Sequence, residues 1–330
     1  MNISKRITLI LTAACLLAAC QKEPPASLPI TEENYNDIEV SLQADILPSM
    51  EIKWSPDSQS ILAKSDDEVM LLDAWTLKAN EDFAFDDSGD GEISPDGKIL
   101  AVPSGKDSID IVETETDILE VSISPGYLIN NIDLSQDGKM LLTSSYDDLR
   151  ADVWEIESGK LLTSLTGFDT AAPVYRASFA KHSQHVIWHS RGQLQISDIK
   201  TGFLSMEFRH QDWVTSWALS SDGKKLATSA AGDVQGHFVP LILIWDTSSG
   251  DSRMLMNSDV PYERLAFCPN THIIAIAEAG TITLIDLDTF SKPKEMPLGD
   301  STADLAFSPD GSALAGITTE GKLVIWRVAQ

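Results

Sequence analysis

The chain has 330 residues, 43% of them hydrophobic, and a formal net charge of −26. That size and apolar content describe a globular protein of one large domain or two. The charge excludes nucleic acid and anionic lipid surfaces as electrostatic partners, because a field of that sign repels phosphate.

Lys5 and Arg6 open a basic stretch, and residues 7–17 form an apolar run too short to span a bilayer. The run ends in Leu17-Ala18-Ala19-Cys20, which resembles the lipobox of bacterial lipoproteins. The resemblance implies cleavage before Cys20, lipidation of Cys20 and attachment to a membrane. The alternative is an ordinary secretory leader cut after a small residue, with Cys20 a plain thiol. Residues 1–19 are thus expected to be a signal peptide, whose loss with Lys5 and Arg6 takes the net charge from −26 to −28. One acyl chain holds a protein only marginally and several hold it firmly, each buried CH₂ adding about 0.8 kcal/mol. Gln21 follows Cys20 in place of Asp; by analogy with enterobacterial sorting, this implies the outer membrane, facing the periplasm. Residues 20–36 carry three prolines and no apolar periodicity, so they are expected to be a flexible tether. With Cys15 in the leader and Cys20 acylated, Cys268 has no disulfide partner, and as the Ser position of a turn it is read as a small turn residue.

Seven near-copies of one turn follow: WSPDS (54–58), ISPDG (93–97), LSQDG (134–138), FAKHS (179–183), LSSDG (219–223), FCPNT (267–271) and FSPDG (307–311). The steps between them are 39, 41, 45, 40, 48 and 40 residues, the length of a propeller blade. Residues 214–219 alternate with period two, as a half-buried strand does. A turn, a strand at 225–229, a strand at 241–245 that is apolar on both faces, a second turn and a strand at 253–256 complete a four-stranded antiparallel meander. The equivalent third strands are expected at 69–72, 109–112, 151–154, 194–197, 281–285 and 323–326. A strand apolar on both faces needs cover on both, which stacked blades provide.

Several copies carry the order LSSDGKKLATS with LIWDTSSG, LSQDGKMLLTSS with VWEIESG, and FSPDGSALAGI with LVIWRV. These segments resemble the WD-repeat family of β-propellers over residues 38–328. The resemblance implies an all-β, seven-bladed β-propeller of four-stranded antiparallel blades over 37–330. Its seventh repeat stops after three strands, so residues 38–43 are expected to supply the missing outer strand as an N-terminal latch. The family's hydrogen-bonded structural tetrad falls, residue by residue, on His210, Ser229, Asp233 and Trp245 of the fifth copy. Elsewhere the pattern is degenerate, with Leu72, Val112, Ser197 and Ile285 at the Trp position.

No motif for catalysis stands out: there is no HExxH, no G-x-S-x-G elbow, no phosphate-binding loop and no paired Cys motif. The crowded His182, His185 and His189 read as a turn and strand edge. Asp86, Ser88 and Asp90 match the first half of a calcium loop, but Gly97 stands where a bidentate Glu belongs, so a polar turn is preferred and a metal kept as a weak alternative. No cofactor is expected. Propellers of this family bind partners through the loops before the first strand and between the second and third. Aromatic and Arg side chains there make candidate contacts: Tyr146, Arg150, Tyr175, Arg176, Arg191, Trp213 and, in a longer fifth-blade loop, His237 and Phe238. The expected function is a non-enzymatic, monomeric, lipid-anchored scaffold that binds other proteins of the cell envelope. The alternative is a lactonase- or hydrolase-like propeller using its central channel, with or without calcium.

Overall fold

The computed structural model describes residues 27–46, 48, 51–65, 69–80, 91–114, 116, 118–145, 150–165, 176–180, 184–190, 193–210, 213–234, 236–290 and 293–329. The signal peptide and Cys20 lie outside them, as do Asp86, Ser88, Asp90, Tyr146, Tyr175 and Arg191.

The recurring turn works through its serine. In five copies the hydroxyl donates to the Asp two residues on, as from Ser55 to Asp57 at 2.7 Å and from Ser308 to Asp310 at 2.6 Å. The same oxygen accepts the backbone N–H five residues on, that of Ser60, Ile99, Met140, Lys225 and Ala313. The last turn position has positive φ, supplied by Gly97, Gly138, Gly223 and Gly311 and, without glycine, by Ser58; in the sixth copy the positive φ falls one position earlier, at Asn270. Each of these five turns is therefore a closed polar unit that reverses the chain between two strands.

Strand β1 (Ile38–Asp45) precedes seven antiparallel sheets. Blade 1 contains β2 (Glu51–Trp54), β3 (Ser60–Lys64) and β4 (Val69–Asp73), with an outer bridge from Leu72 to Ala79. Blade 2 is β5 (Glu92–Ile93), β6 (Ile99–Pro103), β7 (Ile109–Glu113) and β8 (Ile118–Ile123). Blade 3 is β9 (Asn131–Leu134), β10 (Met140–Ser145), β11 (Arg150–Glu155) and β12 (Lys160–Leu165). Blade 4 is β13 (Arg176–Phe179), β14 (His185–Ser190), β15 (Gln193–Asp198) and β16 (Leu204–Arg209). Blade 5 is β17 (Val214–Leu219), β18 (Lys225–Val234), β19 (His237–Asp246) and β20 (Ser252–Asn257). Blade 6 is β21 (Tyr262–Phe267), β22 (Ile273–Glu278), β23 (Thr281–Asp286) and β24 (Lys294–Pro297). Blade 7 is β25 (Thr302–Phe307), β26 (Ala313–Thr318) and β27 (Lys322–Val328). The first strand of each blade is innermost, and β25 lies against β2 to close the ring.

The core follows from this stacking. Its buried side chains fall into one patch per blade–blade interface; Phe179 and Trp188, for example, pack with Leu142 and Val153 between blades 3 and 4. Among the described residues, the seam between blades 1 and 2 buries Leu62, Val69 and Ile93, with Leu71 and Leu100 packed against them.

The expected latch is formed. β1 pairs antiparallel with β27 from Ile38↔Val328 to Asp45↔Lys322, with a bulge between Val40 and Leu42. Arg327 fixes it to the ring, donating to Ser41 Oγ at 3.1 Å and to the Ala74 carbonyl at 2.9 Å while stacking over Trp75. The expected tether over 20–36 is shorter at its distal end, because residues 30–36 are packed against blades 6 and 7. Ile30 and Tyr35 are buried beside Cys268 and Phe307. The Ile30 N–H donates to the Gly311 carbonyl at 2.9 Å, and Glu32 accepts the His272 N–H at 3.0 Å. Burying one such apolar side chain stabilises by about 1.5–3 kcal/mol, enough to hold a short segment that composition alone marks as free.

Candidate interaction face and central channel

The two faces of the ring differ. The serine turns and the turns between third and fourth strands lie on one face; the loops entering each blade and those between second and third strands lie on the other, here the loop face. On the loop face, blade 5 does not carry the expected long loop. Its inner strand stops pairing at Val214↔Ala230, but β18 and β19 continue from Ala231↔Pro240 to Val234↔His237. The four extra pairs make a two-stranded ribbon that projects about 13 Å at 3.3 Å per residue. His237 and Phe238 therefore sit in a strand, with Phe238 opposite Asp233. Beside the ribbon's base, Trp213 is 49% exposed; Val260 is exposed on the loop entering blade 6 and Leu128 on the loop entering blade 3.

Two arginines depart from expectation. Arg150 is not a free anchor: its guanidinium pairs with the fully buried Asp152 at 3.0 Å and lies 5.1 Å from the Tyr127 ring centre. Arg176 opens the inner strand β13, paired with His189, instead of lying in a loop; its side chain lies outside the described residues.

The expected tetrad is also corrected. Trp245 is registered with Leu226, and side chains alternate along a strand, so Thr228 shares its face and Ser229 does not. The indole N–H of Trp245 accordingly donates to Thr228 Oγ1 at 2.8 Å, and the His210 ring stands edge-on at 5.1 Å. Ser229 bonds Thr215 instead, at 3.0 Å. Asp233 lies seven residues beyond Leu226, about 23 Å along the strand at 3.3 Å per residue, in the ribbon; its side chain is outside the described residues. Blade 3 repeats the arrangement with different donors: Trp154 donates to Thr143 Oγ1 at 3.0 Å, and the Tyr127 hydroxyl, at 2.7 Å, takes the place of the histidine. Blade 4 exchanges the two strands' roles. Ser197 occupies the Trp position, and Trp188 on the neighbouring strand donates to its hydroxyl at 3.2 Å.

At the inner ring, side chains of one blade bind the backbone of the next. Asp304 accepts the Ile52 N–H at 3.0 Å, Asp133 that of Phe179 at 2.8 Å, Glu263 that of Thr302 at 2.8 Å and Ser216 that of Leu265 at 3.0 Å. Blades 1–3 add a buried charge cluster. Lys53 bonds Glu92 and lies 3.5 Å from Glu51 and 3.9 Å from Asp133; Lys64 reaches Glu92 at 3.6 Å. Burial works against the Lys53 charge, but Glu51, Glu92 and Asp133 outweigh it and hold its pKa well above the ordinary lysine value. Burial pushes the Asp133 carboxyl up, Lys53 pulls it back and Glu92 and Glu51 raise it again, leaving it at about 7. The cluster borders a central cavity of about 380 Å³ that Trp217 and Arg264 also line. Sequence inspection missed this cluster although a signal existed. Lys53, Glu92 and Asp133 each stand two residues before the turn serine, where blades 4–7 carry Ser178, Ala218, Ala266 and Ala306. Among the described residues, no group of three or more His, Cys, Asp or Glu is placed to hold a metal ion.

No family model matches the chain. It is 24% identical to "Protein tipD" of Dictyostelium discoideum over 240 residues, which are 69% of this chain and 36% of that protein. It is 24% identical over 200 residues to the intraflagellar transport protein 80 homolog of Mus musculus, covering 59% of this chain and 24% of the relative. With the small ribosomal subunit protein RACK1 of Schizosaccharomyces pombe it shares 24% over 144 residues, 40% and 44% of the two chains. The chain thus spans well under two thirds of the length of these relatives. Among solved structures, the Pan2 WD40 domain of Neurospora crassa superimposes with a TM-score of 0.64 at 13% identity, covering 89% of this chain and 96% of that one. The chain is a WD40-like seven-bladed propeller. A chain of Kuenenia stuttgartiensis hydrazine synthase also superimposes on this WD40-like propeller, with a TM-score of 0.64 at 17% identity, covering 87% and 97% of the two chains.

Within the WD40-like propeller the exchanged hydroxyl–indole pairs lock second to third strands, which gives a direct test of the tetrad correction. Thr228→Val strands the indole N–H of Trp245 and is expected to cost about 1–3 kcal/mol in denaturant unfolding. Ser229→Ala is expected to cost less than about 1 kcal/mol, because its partner Thr215 is exposed and can bond water instead. Equal losses in the two variants would return the role to Ser229.

Proposed function

We propose that this chain is a lipoprotein, anchored through Cys20, whose WD40-like propeller is a protein–protein interaction scaffold of the bacterial cell envelope. The observation that carries the reading is the asymmetry between faces and channel. The loop face offers a projecting ribbon, Trp213 and Val260, the exposed aromatic and apolar groups that anchor interfaces. Four inner-ring polar side chains, in contrast, those of Asp304, Asp133, Glu263 and Ser216, are engaged in bonds between blades. Two of the similar proteins are named for assemblies, a ribosomal subunit and intraflagellar transport, and that supports a scaffold reading for this chain. By the lipobox analogy it sits on the outer membrane, facing the periplasm, as a monomer with other envelope proteins as partners. A photo-crosslinking residue at Trp213 is expected to capture a discrete envelope protein, and one at Lys224 on the turn face to capture none. Equal capture from both positions, or none from either, would count against a loop-face scaffold.

The second reading, a ligand-binding or catalytic propeller, draws on the central cavity of about 380 Å³ and on an Asp133 carboxyl raised to about 7 at its wall. The hydrazine synthase likeness makes the same point at the level of fold. A rise in melting temperature with Ca²⁺ that EDTA reverses would move the assignment toward it.

A further inference from the structure

The N-terminal segment meets the ring at one defined place. Ile30 is buried and bonded to Gly311 in the blade 7 turn, with the Cys268 thiol against its carbonyl. Asn34 caps the turn that follows, accepting the Thr31 N–H at 2.7 Å, and Lys294 donates to the Asn36 carbonyl at 3.0 Å. Gly311, Cys268 and His272 all belong to turns between first and second strands. The chain therefore leaves the propeller on the turn face, beside the inner strands of blades 6 and 7 and close to the ring axis.

We infer that the lipid on Cys20 holds the turn face toward the membrane and presents the loop face, with its ribbon and Trp213, away from it. The inference rests on the anchoring reading above and adds an orientation to it. Ten Cα steps separate Cys20 from Ile30, a reach of at most about 33–36 Å at full extension. To bring the loop face to the bilayer, those residues must run outward past four strands, about 14 Å at 4.8 Å spacing. They must then descend a six-residue blade, about 20 Å, and clear the ribbon, about 13 Å more. The detour exceeds the reach, so the inverted orientation is closed to a chain pinned at Ile30.

Energy transfer tests this. The full chain, expressed with its leader in a Gram-negative host and purified from membranes, is reconstituted in phosphatidylethanolamine/phosphatidylglycerol vesicles carrying a rhodamine-labelled lipid. A donor dye is placed on Lys224→Cys (turn face) or Val260→Cys (loop face); Cys268 is buried and does not compete. Transfer from Lys224→Cys is expected to exceed that from Val260→Cys at least threefold, and the added substitution Ile30→Asp, which frees the segment, to bring the two together. Equal transfer in acylated protein, or a difference that Ile30→Asp leaves intact, overturns the orientation while leaving the anchor standing. Absence of acyl mass on Cys20 and failure to float with vesicles overturns the anchor, and the orientation with it.

Discussion

Deletion of residues 37–44 is expected to lower the thermal midpoint of the ring by roughly 10–20 °C. The segment contributes the outer strand of blade 7, from Ile38↔Val328 to Ala44↔Leu323. Its loss removes a fully buried Ile38 side chain, about 1.5–3 kcal/mol, and a ladder whose hydrogen bonds are each worth a net ~0.5–1.5 kcal/mol. It also releases the Arg327 contacts to Ser41 and exposes the β27 edge, where unpaired backbone groups invite association. A total of about 5 kcal/mol, at about 2–4 °C per kcal/mol for a domain of this order of size, gives the stated shift. Differential scanning calorimetry measures it directly, and an unchanged midpoint would show that β1 does not carry ring closure.

Lys53→Met should be nearly as damaging, and its damage should depend on pH. Lys53 is the cation that faces all three of Glu51, Glu92 and Asp133, while Lys64 reaches only Glu92, at the seam between blades 1 and 2. Removing one partner of a buried pair leaves uncompensated charge, at a cost of about 3–5 kcal/mol. The sign of the pH effect follows from proton linkage. Asp133 is raised from 3.8 to about 7 in the fold, so the folded state binds more protons than the unfolded one between those values. The stability tied to this group is present below about pH 4 and is lost as pH rises through about 7. Without the Lys53 charge the Asp133 carboxyl rises further, so Lys53→Met is expected to regain stability on going from pH 8 to pH 5. Asp133→Asn, in contrast, is expected to flatten the wild-type slope in that window. Urea unfolding at the two pH values reads both effects, and a Lys53→Met loss of the same size at pH 8 and pH 5 would exclude the charge cluster as its cause.

How much of this was legible in the sequence depended on whether the signal was local. The serine turns were readable because Ser, Asp and a positive-φ residue close their hydrogen bonds within six positions, as from Ser94 to Ile99. The third strands were readable because blades cover both of their faces, which leaves continuous apolar runs such as 241–245. The latch could be inferred from a repeat that lacked one strand. The partner of Trp245 could not: Thr228 and Ser229 are chemically alike, and only register decides which faces the indole. Arg150 read as a free anchor because its partners Asp152 and Tyr127 lie on a neighbouring position and an earlier loop. The fifth-blade insertion read as a loop because length does not reveal that its two halves pair as a ribbon.

The sequence by itself determined the architecture of this protein: seven blades of near-constant length, their turns and the strand that closes the ring, all consequences of short-range pattern repeated at a fixed period. Tertiary structure alone decided what the ring does with its charges and its ends. Lys53, Glu92 and Asp133 are 39 and 41 residues apart in steps along the chain, yet closure stacks them in one buried cluster. Residues 30–36, polar and proline-flanked, are pinned to the turn face because Ile30 and Tyr35 find apolar cover that only assembled blades 6 and 7 provide.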